Sequence, residues 1–214
     1  MNVNLCVGKI HTHVMRIRWR ARWDSNRNIQ VNGKRNHSTM EKRKARLRDG
    51  REVTLRLLEP NDKEQLLGMF TRFSQDALMW SNPPYDEEKI SRWMGGAETG
   101  LSIVAVFDNN LVGIAAIHEY TRPRKKGTGG MVIYIHQDFL GVGLGTTMTK
   151  NLLSIAEKKG LHRIGLWVIE DNKAAVGLYR KLGFKIEGLL QDAYFGTDGK
   201  YHNMLVMGIV FPEN

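Results

Sequence analysis

Three glycines alternate with apolar residues in the segment FLGVGLGTT (residues 139–147), directly between a predicted strand and a predicted helix. Because glycine has no Cβ, the backbone here can adopt left-handed conformations and can approach a ligand closely. The first N–H groups of the following helix have no partner within that helix, and the helix dipole is positive at the same end. The segment therefore predicts an anion site, most naturally for a pyrophosphate, with Thr146 and Thr147 as further donors.

The spacing of these glycines excludes two common phosphate-binding motifs. Gly141, Gly143 and Gly145 do not follow the G-x-G-x-x-G spacing of dinucleotide-binding folds, and no Lys-Ser or Lys-Thr pair follows them as in a P-loop. Taken alone, the segment is also compatible with a glycine-rich turn that serves tight packing. Other motifs have to separate these two interpretations.

Hydrophobic periodicity predicts alternating strands and helices on both sides of this segment, in the order β-α-α-β-β-β-α-β-α-β-β. The predicted strands are Val53–Leu58, Leu101–Phe107, Leu111–Tyr120, Met131–His136, Arg163–Ile169, Lys185–Leu190 and Tyr201–Phe211. The predicted helices are Lys63–Phe73, Asp86–Met94, one between Gly141 and Gly160, and Asn172–Leu182. The pattern is that of one mixed α/β domain, without an internal repeat or a linker to a second domain.

The positive charge of the chain is concentrated at its beginning. Residues 1–50 hold 13 Lys or Arg and three acidic residues, whereas residues 51–214 hold 19 of each sign. The net charge of +10 therefore comes from the first segment, and the folded part is balanced. This balance argues against nucleic-acid binding by the folded part itself.

A basic, irregular leader is expected at residues 1–39, before a folded domain at 40–214. Arginines alternate around Trp19 and Trp23, which is compatible with a nucleic-acid-binding arm. The scarcity of acidic residues is also compatible with a targeting peptide. A third interpretation is a dispensable extension in front of a start at Met40, because MEKRK resembles a natural beginning.

Composition excludes several classes of protein. No apolar stretch approaches the roughly 18 residues that span a bilayer, and no apolar region follows the basic start as in a secretory signal. The single cysteine, Cys6, excludes an intramolecular disulfide and a thiolate zinc cluster, and the scattered histidines suggest no metal site. We therefore expect a cytoplasmic protein with no membrane partner.

Two motifs in the correct order resemble the GNAT superfamily of N-acetyltransferases over residues 51–211. The first is IYIHQDFLGVGLG (133–145), and the second is Asn172-x-x-Ala175-x-x-Leu-Tyr179-x-x-Leu-Gly-Phe184. This resemblance implies a GNAT fold with a central, mostly antiparallel sheet of six to seven strands, flanked by about four helices. It also implies that the sheet is splayed between the fourth and fifth predicted strands.

The resemblance implies acetyl-CoA as cofactor and assigns residues to it. It places the backbone of Ile133, Tyr134 and Ile135 along the pantetheine, and Asn172 in a hydrogen bond with it. Tyr179 would stand near the sulfur and protonate the departing thiolate. The amides of the loop, which would take the pyrophosphate, are those of Gly141, Val142, Gly143, Leu144, Gly145 and Thr146. Leu140 departs from the family, which usually has Gln or Arg there, and so removes a side-chain contribution to phosphate binding.

The acceptor amine must be neutral to attack a thioester, so a base is expected near the cleft. Glu119, at the end of the third predicted strand, is the preferred candidate, because Ile117 and Ala115 on the same strand face favour a raised pKa by desolvation. Glu170, at the end of the fifth strand, is the alternative. His118 and His136 are reserves, because lone histidines are more often structural.

The tail from Glu187 to Met204 resembles GNAT enzymes that acetylate protein amines or polyamines, and it implies that Tyr194, Tyr201 and Asn203 position the substrate. Aromatic residues of the first helices, Trp80, Tyr85 and Trp93, are expected either to form the opposite wall or to belong to the core.

The preferred function is acetyl transfer to a protein lysine or N-terminal amine. A small-molecule acetyltransferase (for a polyamine, amino acid or antibiotic) and a non-catalytic acyl-CoA sensor are the alternatives. The sequence leaves a homodimer open, and it leaves nucleic acid as a partner of the leader alone.

Overall fold

A computed structural model describes residues 40–97 and 101–212, and the interpretations of the leader at 1–39 lie outside these ranges. The described residues form eight strands and five α-helices around one sheet. The strands are β1 (Arg43–Arg46), β2 (Glu52–Leu57), β3 (Leu101–Phe107), β4 (Asn110–Glu119), β5 (Thr128–Ile135), β6 (Arg163–Ile169), β7 (Lys185–Phe195) and β8 (Tyr201–Val210). The helices are α1 (Lys63–Thr71), α2 (Gln75–Met79), α3 (Glu87–Ala97), α4 (Leu144–Lys158) and α5 (Lys173–Lys181).

The sheet has the strand order β1-β2-β3-β4-β5-β6-β8-β7, and among the described strands only β5 and β6 pair in parallel. Their ladder is short, because Thr128–Gly130 pairs with Arg163–Gly165 and the two strands then separate. All other pairs are antiparallel. The sheet is therefore splayed between the fourth and fifth strands of the sequence prediction, which is confirmed.

Helices cover both faces of the sheet and bury a separate apolar cluster on each. On one face, α4 turns Leu144, Met148 and Leu152 inward at a spacing of four residues, and all three are fully buried. On the other face, Phe70 of α1 and Ile90 of α3 pack with β3 and β4. Burial of each such side chain contributes roughly 1.5–3 kcal/mol, so both faces hold the sheet in place.

The strand and helix counts exceed the predicted six to seven strands and about four helices, although the fold class is confirmed. The added strand, β1, has the sequence RKAR and lies at the edge of the sheet. A strand of mostly charged residues shows no apolar alternation, so the pattern could not reveal it. The added helix, α2, has five residues and begins with Ser74 as a side-chain cap. Elements of four and five residues are too short to show a recognisable hydrophobic period.

Two further details extend the sequence expectations. The loop between β3 and β4 consists of Asp108 and Asn109, whose φ angles of 46° and 60° define the left-handed hairpin turn that their residue types favour. In the ranges 40–97 and 101–212, no helix has the length and apolar character to cross a membrane.

Candidate active site at the splayed strands

A cavity of about 570 Å³ opens where β5 and β6 separate. At one end it reaches the glycine loop, and at the other it reaches the segment after α2. Its lining includes Ile133, Ile135, Gly141, Gly143, Gly145, Thr146, Asn172 and Tyr179, all of which the sequence analysis assigned to the cofactor. The splay therefore brings the two sequence motifs together around one space.

The edge of β5 that faces β6 carries backbone groups without a strand partner. The N–H of His136 donates to the carbonyl of Val112 in β4, and backbone groups alternate in direction along a strand. The N–H and C=O groups of Ile133 and Ile135 therefore point away from β4 and into the cleft, whereas those of Tyr134 point toward β4. Two of the three predicted positions thus offer free backbone groups to an extended ligand, in the manner of an added strand.

The glycine loop presents a row of unpaired N–H groups to the same cavity. Gly141 and Gly143 have φ angles of 73° and 95°, conformations that a side chain disfavours. The N–H of Thr147 donates to the carbonyl of Gly143 at 3.1 Å. No described residue accepts a hydrogen bond from the N–H groups of residues 141–146, which precede it. Such a row at the start of a 15-residue helix fits a pyrophosphate.

Asn172 caps α5 and Tyr179 lies within this helix, which follows β6. The side chain of Asn172 caps the helix, because its Oδ1 accepts from the N–H of Ala175 at 3.1 Å. Its amide NH₂ group is thereby left to donate elsewhere. Tyr179 is only 6% exposed, and burial raises the pKa of its phenol well above the ordinary value near 10. The hydroxyl is therefore protonated at neutral pH, as a proton donor must be.

The side chain of Tyr134 belongs to an aromatic cluster on the opposite face of the sheet from α4. Its ring stacks on Trp93 at 5.5 Å between centroids and meets Phe70 and Tyr85 edge to face. Burial, followed by the proximity of other phenols, raises the pKa of Tyr134. Tyr85 and Trp93 are therefore part of the packing of α1 and α3, whereas Trp80 lines the cavity and is 40% exposed.

The end of the cavity that the sequence analysis predicts for the acceptor, called the acceptor end below, lies between the segment after α2 and strand β7. The hydroxyl of Tyr194 lies 2.5 Å from the carbonyl oxygen of Ser81 and 3.1 Å from that of Met79. Burial raises the pKa of Tyr194, which keeps this hydroxyl available as a donor. The two segments are thus held together, with Ser81 and Asn82 facing the cavity. Among the described residues that line the cavity, none is Asp or Glu.

Glu119, the base preferred from sequence, does not line this cavity. It pairs with Gly129 at the beginning of β5, where β5 and β6 are still joined, whereas the cleft opens toward Ile135. The reason is strand direction: β4 runs antiparallel to β5, so the C-terminal end of β4 lies at the closed end of the splay. His118, its neighbour, and His136, which approaches Phe73 at 6.1 Å, are also outside the lining.

The remaining predicted residues lie around the acceptor end without entering it. Glu170 follows Ile169 of the lining, and its carboxylate accepts from Nδ2 of Asn203 at 3.0 Å. The Oδ1 of Asn203 accepts from the N–H of Asp192, so this side chain joins β6, β7 and β8. Tyr201 is 66% exposed near the tip of the β7–β8 hairpin and packs on Phe195. Only Tyr194 of the three predicted substrate residues lines the cavity.

The structure adds lining residues that sequence analysis did not select. They include Arg48 in the turn after β1, Ser81 and Asn82 after α2, Trp167 of β6 and Lys181 of α5. Lys181 follows Tyr179 by two residues in the second motif, which is the one local signal among them. Arg48 is one cation in a basic run, and nothing in that run distinguishes it.

A sheet splayed beside a glycine loop, with a buried tyrosine across the cleft, defines the class of acyl-CoA-dependent acyltransferases. The family described as "Acetyltransferase (GNAT) family" matches residues 65–184, more than half of the sequence, and the chain belongs to it. It is an N-acetyltransferase that uses acetyl-CoA as the acetyl donor.

Relatives and solved structures support this assignment and differ in their acceptors. YdaF of Bacillus subtilis, provisionally named a ribosomal N-acetyltransferase, is 26% identical over 75% of this chain and 92% of its own. The L-methionine sulfoximine/L-methionine sulfone acetyltransferase of Pseudomonas paraeruginosa is 30% identical over 51% of this chain and 66% of its own. A phosphinothricin acetyltransferase of Sinorhizobium meliloti, solved with acetyl-CoA, shares the fold with a TM-score of 0.66 at 19% identity, covering 76% of this chain and 90% of its own.

Proposed function

We propose that this enzyme acetylates the α-amino group at the N-terminus of a protein or peptide. The observation that supports this acceptor is the absence of Asp and Glu from the described lining of the cavity. A polyamine carries several positive charges, and a site for it is expected to present carboxylates. The lining at the acceptor end offers Ser81, Asn82, Trp80 and Tyr194 instead, which are neutral.

The same absence favours an α-amine over a lysine side chain. An N-terminal amine has a pKa of about 7.7–8.0, whereas that of lysine is about 10.4. At pH 7.5 roughly one third of the α-amines are neutral, against roughly one lysine in a thousand. A cavity without a carboxylate base is therefore better suited to the acceptor that already carries a free lone pair.

In the proposed mechanism, each residue of the cleft has a separate role in the acetyl transfer. Acetyl-CoA supplies an activated thioester. Backbone N–H groups of Ile133 and Ile135 point into the cleft and are placed to hydrogen-bond the carbonyl oxygen as it gains negative charge. Asn172 retains its NH₂ donor for the pantetheine. Tyr179 donates its proton to the departing sulfur, and the proton released by the amine returns to Tyr179 through water.

A free α-amino acid is the second candidate acceptor. Its support is the relative of Pseudomonas paraeruginosa, whose name gives an amino-acid derivative as substrate and which is 30% identical over 115 residues. Such an acceptor also carries an α-amine, so the chemistry of the cleft is unchanged. The two candidates differ in whether the acceptor continues as a chain beyond Trp80, which is exposed at the cavity rim.

A panel of matched acceptors tests this proposal through the thiol released from acetyl-CoA. One peptide carries a free N-terminus and no lysine, and its partner has a blocked N-terminus and one internal lysine. L-methionine sulfone and spermidine complete the panel. We expect kcat/KM for the free N-terminus to exceed that for the lysine peptide by at least about tenfold. Faster turnover of the blocked peptide or of spermidine would contradict the proposal, and a preference for the sulfone would select the second candidate.

A further inference from the structure

Two positively charged side chains occur among the described residues that line the cavity, and they lie on different elements. Lys181 is at the end of α5, whereas Arg48 is in the turn between β1 and β2. The Nε of Arg48 is 3.3 Å from the position that a Cβ on Gly143 would occupy. The guanidinium group therefore lies directly against the glycine loop, next to its unpaired N–H groups.

The backbone of this turn is attached to the loop. The N–H of Arg48 donates to the carbonyl of Val142 at 3.0 Å, and Val142 lies between the first two glycines. Leu47, the preceding residue, is buried in the core on the α4 side of the sheet. The position of Arg48 is thus set by main-chain and core contacts, and its side chain is free to serve another purpose.

A second arginine of the same turn reinforces the attachment and is itself occupied. Nη2 of Arg51 donates to the carbonyl of Asp138 at 2.7 Å, and its guanidinium stacks over the ring of Phe139 at 3.9 Å. Arg51 also pairs with Asp49. By contrast, no carboxylate in the described ranges forms an ion pair with Arg48. One arginine therefore joins the turn to the residues before the loop, and the other is left beside the loop itself.

We propose that Arg48 binds the pyrophosphate of acetyl-CoA together with the N–H groups of the glycine loop. A pyrophosphate carries two negative charges, and peptide N–H groups supply only partial positive charge. Leu140, the residue that precedes the glycines, is apolar and 55% exposed, so it adds none. Arg48 brings a full charge and a planar set of donors suited to phosphate oxygens. The edge hairpin formed by β1 and β2 is thereby part of the cofactor site.

Binding of CoA in the absence of any acceptor tests this assignment, so the result is independent of the proposed acceptor. Calorimetry compares the wild type with Arg48→Gln, Arg48→Lys and Arg46→Gln, the last removing an exposed cation from the same hairpin. We expect Arg48→Gln to raise the dissociation constant of CoA about tenfold, the range of one hydrogen bond to a charged group. Arg48→Lys keeps the charge and should lose less, while Arg46→Gln should match the wild type.

Two truncated ligands identify the phosphate that is contacted. Dephospho-CoA retains the pyrophosphate and should show the same loss in Arg48→Gln, whereas pantetheine has no phosphate and should show none. The advantage of the wild type over Arg48→Gln should also shrink at high salt. An unchanged melting temperature of the ligand-free variant verifies its fold. Equal dissociation constants for wild type and Arg48→Gln, an equal loss in Arg46→Gln, or a loss confined to CoA and absent with dephospho-CoA would overturn the proposal.

Discussion

The two ends of the cavity present different kinds of group to a ligand. At the end proposed for the cofactor, these are backbone groups: the free edge of β5 and the N–H groups of the glycine loop. At the end proposed for the acceptor, they are side chains from segments far apart in sequence, such as Trp80 and Tyr194. Backbone groups cannot be changed by substitution, whereas each side chain can. On this assignment, relatives can share the cofactor while their names give different acceptors.

The largest effect on activity should come from a substitution of Tyr179, where the two ends of the cavity meet. Tyr179→Phe removes the proposed proton donor but leaves the ring packed on Phe184, so the fold should persist. We expect kcat to fall by roughly 10²–10³-fold, within the range of general acid catalysis. The KM for acetyl-CoA should change less than about twofold. Tyr201→Phe, at an exposed position, is the matched control, and a kcat equal to wild type in Tyr179→Phe would leave the tyrosine a packing role only.

A change of backbone should damage the cofactor end alone. Gly143→Ala places a methyl group at a φ of 95°, which costs about 1–2 kcal/mol, and the methyl group also meets Arg48 at 3.3 Å. We expect CoA to bind about tenfold or more weakly. Gly68→Ala is the control, because this helical position has open space and the alanine should stabilise α1 by about 0.5–1 kcal/mol. Equal CoA affinity in both variants would refute the importance of the loop conformation.

A change of side chain should instead damage the acceptor end alone. Tyr194→Phe removes the hydroxyl that joins β7 to the carbonyls of Met79 and Ser81. One lost hydrogen bond is worth about 1 kcal/mol, so the KM for the acceptor should rise about threefold to tenfold. The dissociation constant of CoA, measured by calorimetry, should stay the same. A parallel loss of CoA affinity would show that the two ends are not separable.

The smallest effect should come from pH, through His202. Its ring lies 2.9 Å from a carboxylate oxygen of Asp171, beside Asn172, and 3.1 Å from one of Asp198 in the β7–β8 hairpin. Hydrogen bonds to these two carboxylates raise the pKa of His202 above the ordinary 6.5. The charged ring therefore adds stability that is complete below pH 6.5 and is lost as pH rises through the higher folded pKa.

Denaturant midpoints over a pH series measure this contribution. The stability advantage of the wild type over His202→Gln should be largest at the acid end and should decline above pH 6.5. A modest loss of acceptor affinity should accompany the decline, since the histidine attaches the β7–β8 hairpin, which carries Tyr194, to the turn at Asp171. A constant difference between the two proteins across the series would contradict the charged pairing.

The cofactor end could be predicted from the sequence because its determinants are local. Glycine at positions 141 and 143 indicates directly that the backbone adopts a positive φ angle there. Asn172, a residue type that favours helix caps, caps the helix that carries Tyr179. The acceptor end depends on which distant segments meet, and a single sequence does not encode that in any local pattern. Ser81 and Asn82 have no periodic or motif signal, and they become lining residues only because Tyr194 holds the segment after α2 against β7.

The preference for Glu119 shows a different kind of limit. Glu119 lies at the end of β4, as expected, but strands that follow one another through hairpins reverse direction. The end of β4 therefore meets the beginning of β5, at Gly129, and not the open end of the splay. The edge strand β1 could not be predicted because its mostly charged sequence has no apolar alternation, and Arg48, in the turn after it, carries no signal either.

The short ladder between β5 and β6 also makes the folding stability of the enzyme depend on its donor. Beyond three paired positions, the middle of the sheet has a seam that acetyl-CoA can fill. A ligand that binds only the folded state adds about 2.7 kcal/mol to its stability at a concentration of 100 times the dissociation constant. Without acetyl-CoA this contribution to the folding free energy is absent, and a larger fraction of the chain is unfolded at equilibrium. The melting temperature of the enzyme should therefore rise with the concentration of acetyl-CoA.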